Sequence, residues 1–240
     1  MDPIDIVYRF QMEDGRKDVF ALKLDPRSLQ IIGDVGGQMP DWTALEVHQC
    51  ENCLLDPKDS PKCPAAVNMV RLVQRFDTLL SFDEAKVTVV TDERKIYGET
   101  TIQRAVCSLM GLLMATSDCP LMDFFKPMAR FHLPFASTVE TIWRATSAYL
   151  MAQYFHNSDG AEPDIHFEGL SRIYEEIQIV NLAFAKRLRQ ACRQDSMINA
   201  IVLLDMFAQS MPTAIDESLE EIRHLFVPYL SHNAGRKPVS

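Results

Sequence analysis

The chain has 240 residues, long enough to bury a sizeable core without disulfides, and its 47% hydrophobic and 24% charged composition is that of an ordinary globular protein. A net charge of −9, from 33 acidic against 24 basic residues, argues against a general nucleic-acid or anionic-membrane binder, because both need a basic surface. The longest apolar run, Leu109 to Ala115, falls far short of the roughly 20 residues a membrane span needs.

The first elements read as strands. Ile4, Ile6, Tyr8 and Phe10 alternate with polar positions, the period of a half-buried strand. Asp14-Gly15 supplies a hairpin turn, and Val19 to Leu24 runs back as the partner. Leu29 to Ile32 is expected to add a third strand and Trp42 to His48 a fourth. Gly33, Gly36 and Gly37 match no phosphate-loop spacing and lack its lysine, so they read as a plain loop. Lys86 to Val90 is short and β-branched, a further strand.

Helical spacing dominates elsewhere. Pro64 precedes Ala66, Met69, Val70, Val73, Phe76 and Leu80 at three- and four-residue steps. Ile102 to Leu113 forms an amphipathic helix with Thr100 or Thr101 as its cap, ending near Asp118-Cys119-Pro120. Residues 120–136 are aromatic and proline-broken, with room for one short helix. Ser137 and Glu140 make a capping box ahead of a helix whose inner face is Val139, Ile142, Trp143, Thr146, Tyr149, Leu150 and Tyr154. After the polar break at 157–163, Leu170 to Leu188 carries a long apolar stripe. A further piece from Ile198 is expected to stop at Pro212, and a last helix to run from Ile215 to Leu230.

The spacing that asks for particular chemistry is His48-Gln-Cys50-Glu-Asn-Cys53, followed by Cys63-Pro64. A cytoplasmic location is expected, since the chain starts Met1-Asp-Pro-Ile-Asp5 without the basic and apolar regions of a signal peptide, and cytosolic thiols stay reduced. Cys50 and Cys53 fit the Cys-x-x-Cys knuckle of a tetrahedral zinc site, and Cys63 is a third ligand. Cys119, in a second Cys-Pro loop, is taken as the fourth, with His48 as the alternative. An iron–sulfur cluster, a redox pair and simple packing of reduced thiols are the competing readings. The redox reading is the weaker for lacking a helix start after Cys53. Cys107 and Cys192 fall in helical patterns and read as small buried residues.

Other chemistry is sparse. His132 and His166 are candidate general bases with no visible nucleophile or orienting carboxylate. Lys186, Arg187, Arg189 and Arg193 form a basic strip near a helix end, where the helix dipole favours cations.

The blocks Val7-Tyr-Arg-Phe10, Cys50-x-x-Cys53 with Cys63-Pro64, Cys119-Pro120 and Pro127-Met-Ala-Arg-Phe-His-Leu-Pro-Phe135 resemble a bacterial domain-of-unknown-function family. The resemblance covers most of the chain and is densest between residues 4 and 155. It implies a bacterial source and no activity.

The expectation is therefore an α+β protein: a small antiparallel sheet within residues 1–92, packed against an α-helical part over 93–232 as two parts of one continuous domain or as two, with a flexible tail at 233–240. Its role is expected to be binding or regulation around a structural zinc site, with no catalytic residues. A redox or iron–sulfur protein using Cys50, Cys53 and Cys63 is the alternative. The partner is expected to be a protein or a second copy of the chain rather than nucleic acid or a membrane.

Overall fold

A computed structural model describes residues 1–33, 39–76 and 78–233, without the side chains of residues 214, 216–218 and 233. Gly36, Gly37 and the tail from residue 234 lie outside the described residues.

Strand β1 (Ile4–Met12) turns at Gly15, whose φ of +84° suits a residue without a Cβ, and pairs antiparallel with β2 (Lys17–Leu24). Its other edge pairs with β3 (Glu84–Val90), and β3 pairs with β4 (Lys95–Thr101), giving a four-stranded antiparallel sheet in the order β2-β1-β3-β4. Alternation sends Ile6, Tyr8 and Phe10 of β1, Phe20, Leu22 and Leu24 of β2, and Ala85, Val87 and Val89 of β3 to one buried face. On that face the ring of Phe76, at the end of helix α1 (Pro64–Phe76), stands 4.9 Å from the ring of Phe10.

Helix α2 (Ile102–Ala115) follows β4 directly and is buried along most of its length. It packs on α6 (Ser196–Ile222), which in turn packs on α5 (Glu168–Ala191). Between them in the chain come a 3₁₀ turn at Pro120–Phe125, the short α3 (Lys126–Arg130) and α4 (Thr138–Ser158); α7 (Val227–Asn233) ends the described chain. Ser137 and Glu140 form the expected capping box on α4, with bonds of 3.2 and 2.8 Å. One hydrophobic core joins the sheet to the helices, and β4 carries the sheet past residue 92. No single helix among the described residues is long and apolar enough to cross a membrane.

Four local expectations are corrected. Leu29 to Ile32 is not a strand: Ile31 makes a single bridge to Leu24, and Leu29 has a left-handed φ of +60° that breaks extended pairing. Trp42 to His48 is a 3₁₀ turn (Asp41–Thr43) and further turns. There the Trp42, Ala44 and Leu45 carbonyls accept from the Arg187 side chain, leaving them no place in a strand ladder. On α4, Ile142, Thr146 and Tyr149 face inward as expected, but Val139, Trp143 (47% exposed), Leu150 and Tyr154 do not. Strand β4 went unseen because Lys95 to Thr101 is an exposed, charged edge without apolar alternation. Its Gly98 lies under the Phe135 ring, where an added Cβ would sit 3.2 Å from the ring edge.

The fourth correction concerns Pro212, which lies inside α6 instead of ending it. Proline removes the N–H that would reach the carbonyl four residues back, that of Ala208. Gln178 of α5 donates its side-chain amide to that carbonyl at 3.3 Å, so the helix continues with its acceptor satisfied. Gln178→Ala should cost about 1 kcal/mol, the usual worth of one neutral hydrogen bond, read as a lower urea midpoint at unchanged slope.

Candidate functional site

The cysteines flagged by spacing come from three separate stretches. Cys50 and Cys53 lie on one tight turn, closed by Cys53 N–H donating to the Cys50 carbonyl at 3.0 Å. Asn52 ties that turn to α5 by donating to the Glu176 carbonyl at 3.1 Å. Cys63 precedes α1; its N–H donates to the Thr43 carbonyl at 2.8 Å, and its own carbonyl accepts from Val67. Cys119 begins the Pro120–Phe125 turn.

Folding brings Cys50, Cys53, Cys63 and Cys119 around one small enclosed space of about 20 Å³, walled by Leu45, Val180, Phe184 and Arg187. All four are free thiols. His48 is exposed, has a left-handed φ of +48° and lies outside this space. Among the described residues no group of three or more His, Cys, Asp or Glu is arranged to hold a metal ion, so the four sulfurs are neighbours and not a preformed cage.

Burial pushes the Cys50 thiol up to about 12, helped by the adjacent Cys63, Cys119 and Cys53. It pushes Cys119 up to about 11, with the nearby Leu121 and Met122 backbone N–H groups pulling the other way. Thiols held this high are neutral at pH 7 and poor nucleophiles, which speaks against a reactive redox cysteine at either position.

Arg187 sits beside these sulfurs and is only 2% exposed. It was expected on a basic surface strip; its place on the buried face of α5 puts it under the cysteine turn instead. Its guanidinium donates to the carbonyls of Trp42 (2.6 Å), Ala44 (2.7 Å) and Leu45 (3.2 Å). No carboxylate pairs with it among the described residues. Burial lowers its pKa, and Cys63, Cys50 and Cys53 raise it. A buried, unpaired cation is costly, so its neighbourhood favours negative charge.

The histidines do not assemble a catalytic group. His132 shares a hydrogen bond with the Tyr8 hydroxyl, which also bonds Ser108 at 2.9 Å, and burial pushes its pKa down to about 3. It stays neutral across the physiological range and is a weak base. His166 is exposed, with its N–H given to Asp164. Cys107 is buried, as expected of a helical packing residue, while Cys192 is half-buried at the end of α5.

A second concavity, of about 500 Å³, opens between α2, α3, α4, α5 and α6. Its walls are apolar, with Leu112, Met122, Phe125, Leu204 and Phe207 prominent, and His132 and Arg144 lie on its rim.

Fold and site define a mixed α+β protein, an antiparallel sheet on a helical bundle, in which four thiols meet beside a buried arginine. A family model described as Domain of unknown function (DUF6901) matches residues 6–227, and the chain belongs to that family. No curated protein and no solved structure matches the chain.

Proposed function

We propose that this is a cytoplasmic, non-enzymatic binding protein whose Cys50, Cys53, Cys63 and Cys119 form a structural four-thiolate zinc site. The observation that carries this reading is the buried Arg187, which lines the same small space as Cys50, Cys53, Cys63 and Cys119 and has no carboxylate partner among the described residues. Uncharged thiols would leave that cation without a counter-charge. Four thiolates around Zn²⁺ carry a net charge of −2 and compensate it. Residue types and loop chemistry fit: a Cys-x-x-Cys turn, a Cys at a helix start and a Cys in a second Cys-Pro turn are typical holders of a soft tetrahedral ion. An enclosed space of about 20 Å³ suits a single-atom guest, with the sulfurs drawing inward to ligating distance.

Zinc binding would also explain how the loop from Gln49 to Pro64 is held. It has three prolines and little apolar surface, so burial contributes little against an ordering cost on the order of 1–2 kcal/mol per residue. A site absent from the unfolded chain turns metal affinity into folding free energy.

The test is metal analysis and hydrogen exchange on protein purified without chelator. One zinc per chain, with residues 45–65 exchanging faster after chelation while helix content stays level, is the expected result. Brown absorbance would replace zinc by an iron–sulfur cluster. No metal and unchanged exchange would leave the cysteines as packed thiols and end the proposal.

A further inference from the structure

The helical cleft carries a charge pattern opposite to that of the chain. The protein has 33 acidic residues against 24 basic ones, yet no Asp or Glu lines the cleft, and its formally charged lining residues are Arg104 and Arg144. Arg144 is half-buried and makes no ion pair with a carboxylate among the described residues; Glu140, one turn earlier on α4, is within electrostatic reach but is held in the capping box with Ser137. One of the Arg144 terminal nitrogens donates to the Met128 carbonyl at 2.6 Å and the Phe131 carbonyl at 3.1 Å, which caps the end of α3 and orients the guanidinium. Its other N–H groups make no hydrogen bond among the described residues. Burial lowers its pKa, and Tyr174 and Glu140 raise it.

Two further polar groups on the cleft wall lack partners. Tyr174 is buried, and its hydroxyl makes no hydrogen bond among the described residues, though it lies within electrostatic reach of Arg144. Asn181 is 2% exposed, and its amide nitrogen is buried with no hydrogen-bond partner. An orphaned buried amide costs about 1–3 kcal/mol unless something bonds it. Tyr174 and Asn181 are seven residues apart on one face of α5, which places them about 10 Å apart along the helix. The wall they share is largely apolar, with Ile177 on α5, Leu204 and Phe207 on α6, and Phe125, whose ring stands 5.7 Å from that of Tyr174.

A volume of about 500 Å³ falls within the range of sites for small organic ligands. We infer that this cleft binds a small amphipathic carboxylic acid. Its carboxylate sits on Arg144 and the Tyr174 hydroxyl, its apolar body lies along Ile177, and a second polar atom at its far end meets the Asn181 amide. Arg144 supplies an oriented fork with free donors, the geometry that carboxylates select. The apolar walls exclude inorganic anions as good occupants, because these would lose hydration without replacing it. This inference stands apart from the zinc reading: the two sites share no lining residue, and either can fail alone.

The probes are decanoate, ω-hydroxydecanoate and decanol, titrated by calorimetry into the whole protein. In the wild type the acid should bind about tenfold or more tighter than the alcohol, the worth of one charge-assisted hydrogen-bond pair. ω-Hydroxydecanoate should bind tighter again. Arg144→Met should erase the preference for acid over alcohol, and Asn181→Leu should erase the gain from the hydroxyl, so that ω-hydroxydecanoate no longer binds tighter than decanoate. Equal binding of acid and alcohol to the wild type would overturn the inference without any variant, which matters because Arg144 also caps α3. Failure of both acids to bind at millimolar concentration would overturn it as well.

Discussion

Cys119→Ser should strip zinc from the protein and lower its melting temperature, whereas His48→Ala should change neither. In the proposed zinc site Cys119 would be the ligand contributed from farthest along the chain, so its loss would remove the tether between the cysteine turn and the end of α2. A serine hydroxyl is a poor replacement for a thiolate on a soft ion. The loss of folding free energy should be on the order of 3 kcal/mol, since metal affinity is folding affinity here. At roughly 2–4 °C per kcal/mol for a chain of this size, that is a drop of about 10 °C. Thermal melts with and without chelator, beside metal analysis, check it. If His48→Ala removes the metal and Cys119→Ser does not, the fourth ligand has been assigned wrongly.

Arg187→Met should reveal what charge lies beside it, through the dependence of its effect on metal. In either state the substitution frees three carbonyls that Arg187 holds at 2.6 to 3.2 Å, a cost common to both. In the zinc-loaded protein it also leaves an anionic centre buried without its counter-charge, and removing one partner of a buried pair costs about 3–5 kcal/mol. In chelated protein Cys50 and Cys119 are neutral thiols, because burial holds them up to about 12 and about 11. There the substitution removes an unpaired buried cation, which offsets part of the carbonyl cost. Denaturant melts of wild type and variant, each with and without chelator, should therefore show a much larger penalty when metal is bound. An equal penalty in both states would mean that Arg187 serves only the three carbonyls and that no anionic centre forms.

The two substitutions act on one cluster and should not be additive. Once Cys119→Ser has removed the metal, adding Arg187→Met should cost little more than it does in chelated protein, as coupled neighbours in one network require.

Much of the fold was legible. Period-two alternation placed β1, the Asp14-Gly15 turn placed β2 as its partner, a β-branched run placed β3, and three-to-four spacing placed α1, α2, α5 and much of α6, because burial of one face demands such periods wherever an element packs on a core. The misread stretches are those where a partner outside the local window decides. Leu45 and Val47 alternate like a strand, but an arginine far along the chain occupies the neighbouring carbonyls. Pro212 is a helix breaker until Gln178 of another helix takes up the orphaned Ala208 carbonyl. β4 has no buried face to imprint a period, and only its pairing with β3 makes it a strand.

The sites divide in the same way. The sequence by itself determined that six cysteines are available and that Cys50 and Cys53 share a Cys-x-x-Cys spacing, since residue type and short spacing are local properties. Only the tertiary structure decided that Cys119 meets Cys50, Cys53 and Cys63 while His48 stays outside, and that Arg187 is their buried neighbour instead of a surface charge. It alone placed Arg144, Tyr174 and Asn181 on one apolar wall. Burial and charge pairing depend on which distant segments pack together, and a linear spacing carries no record of that.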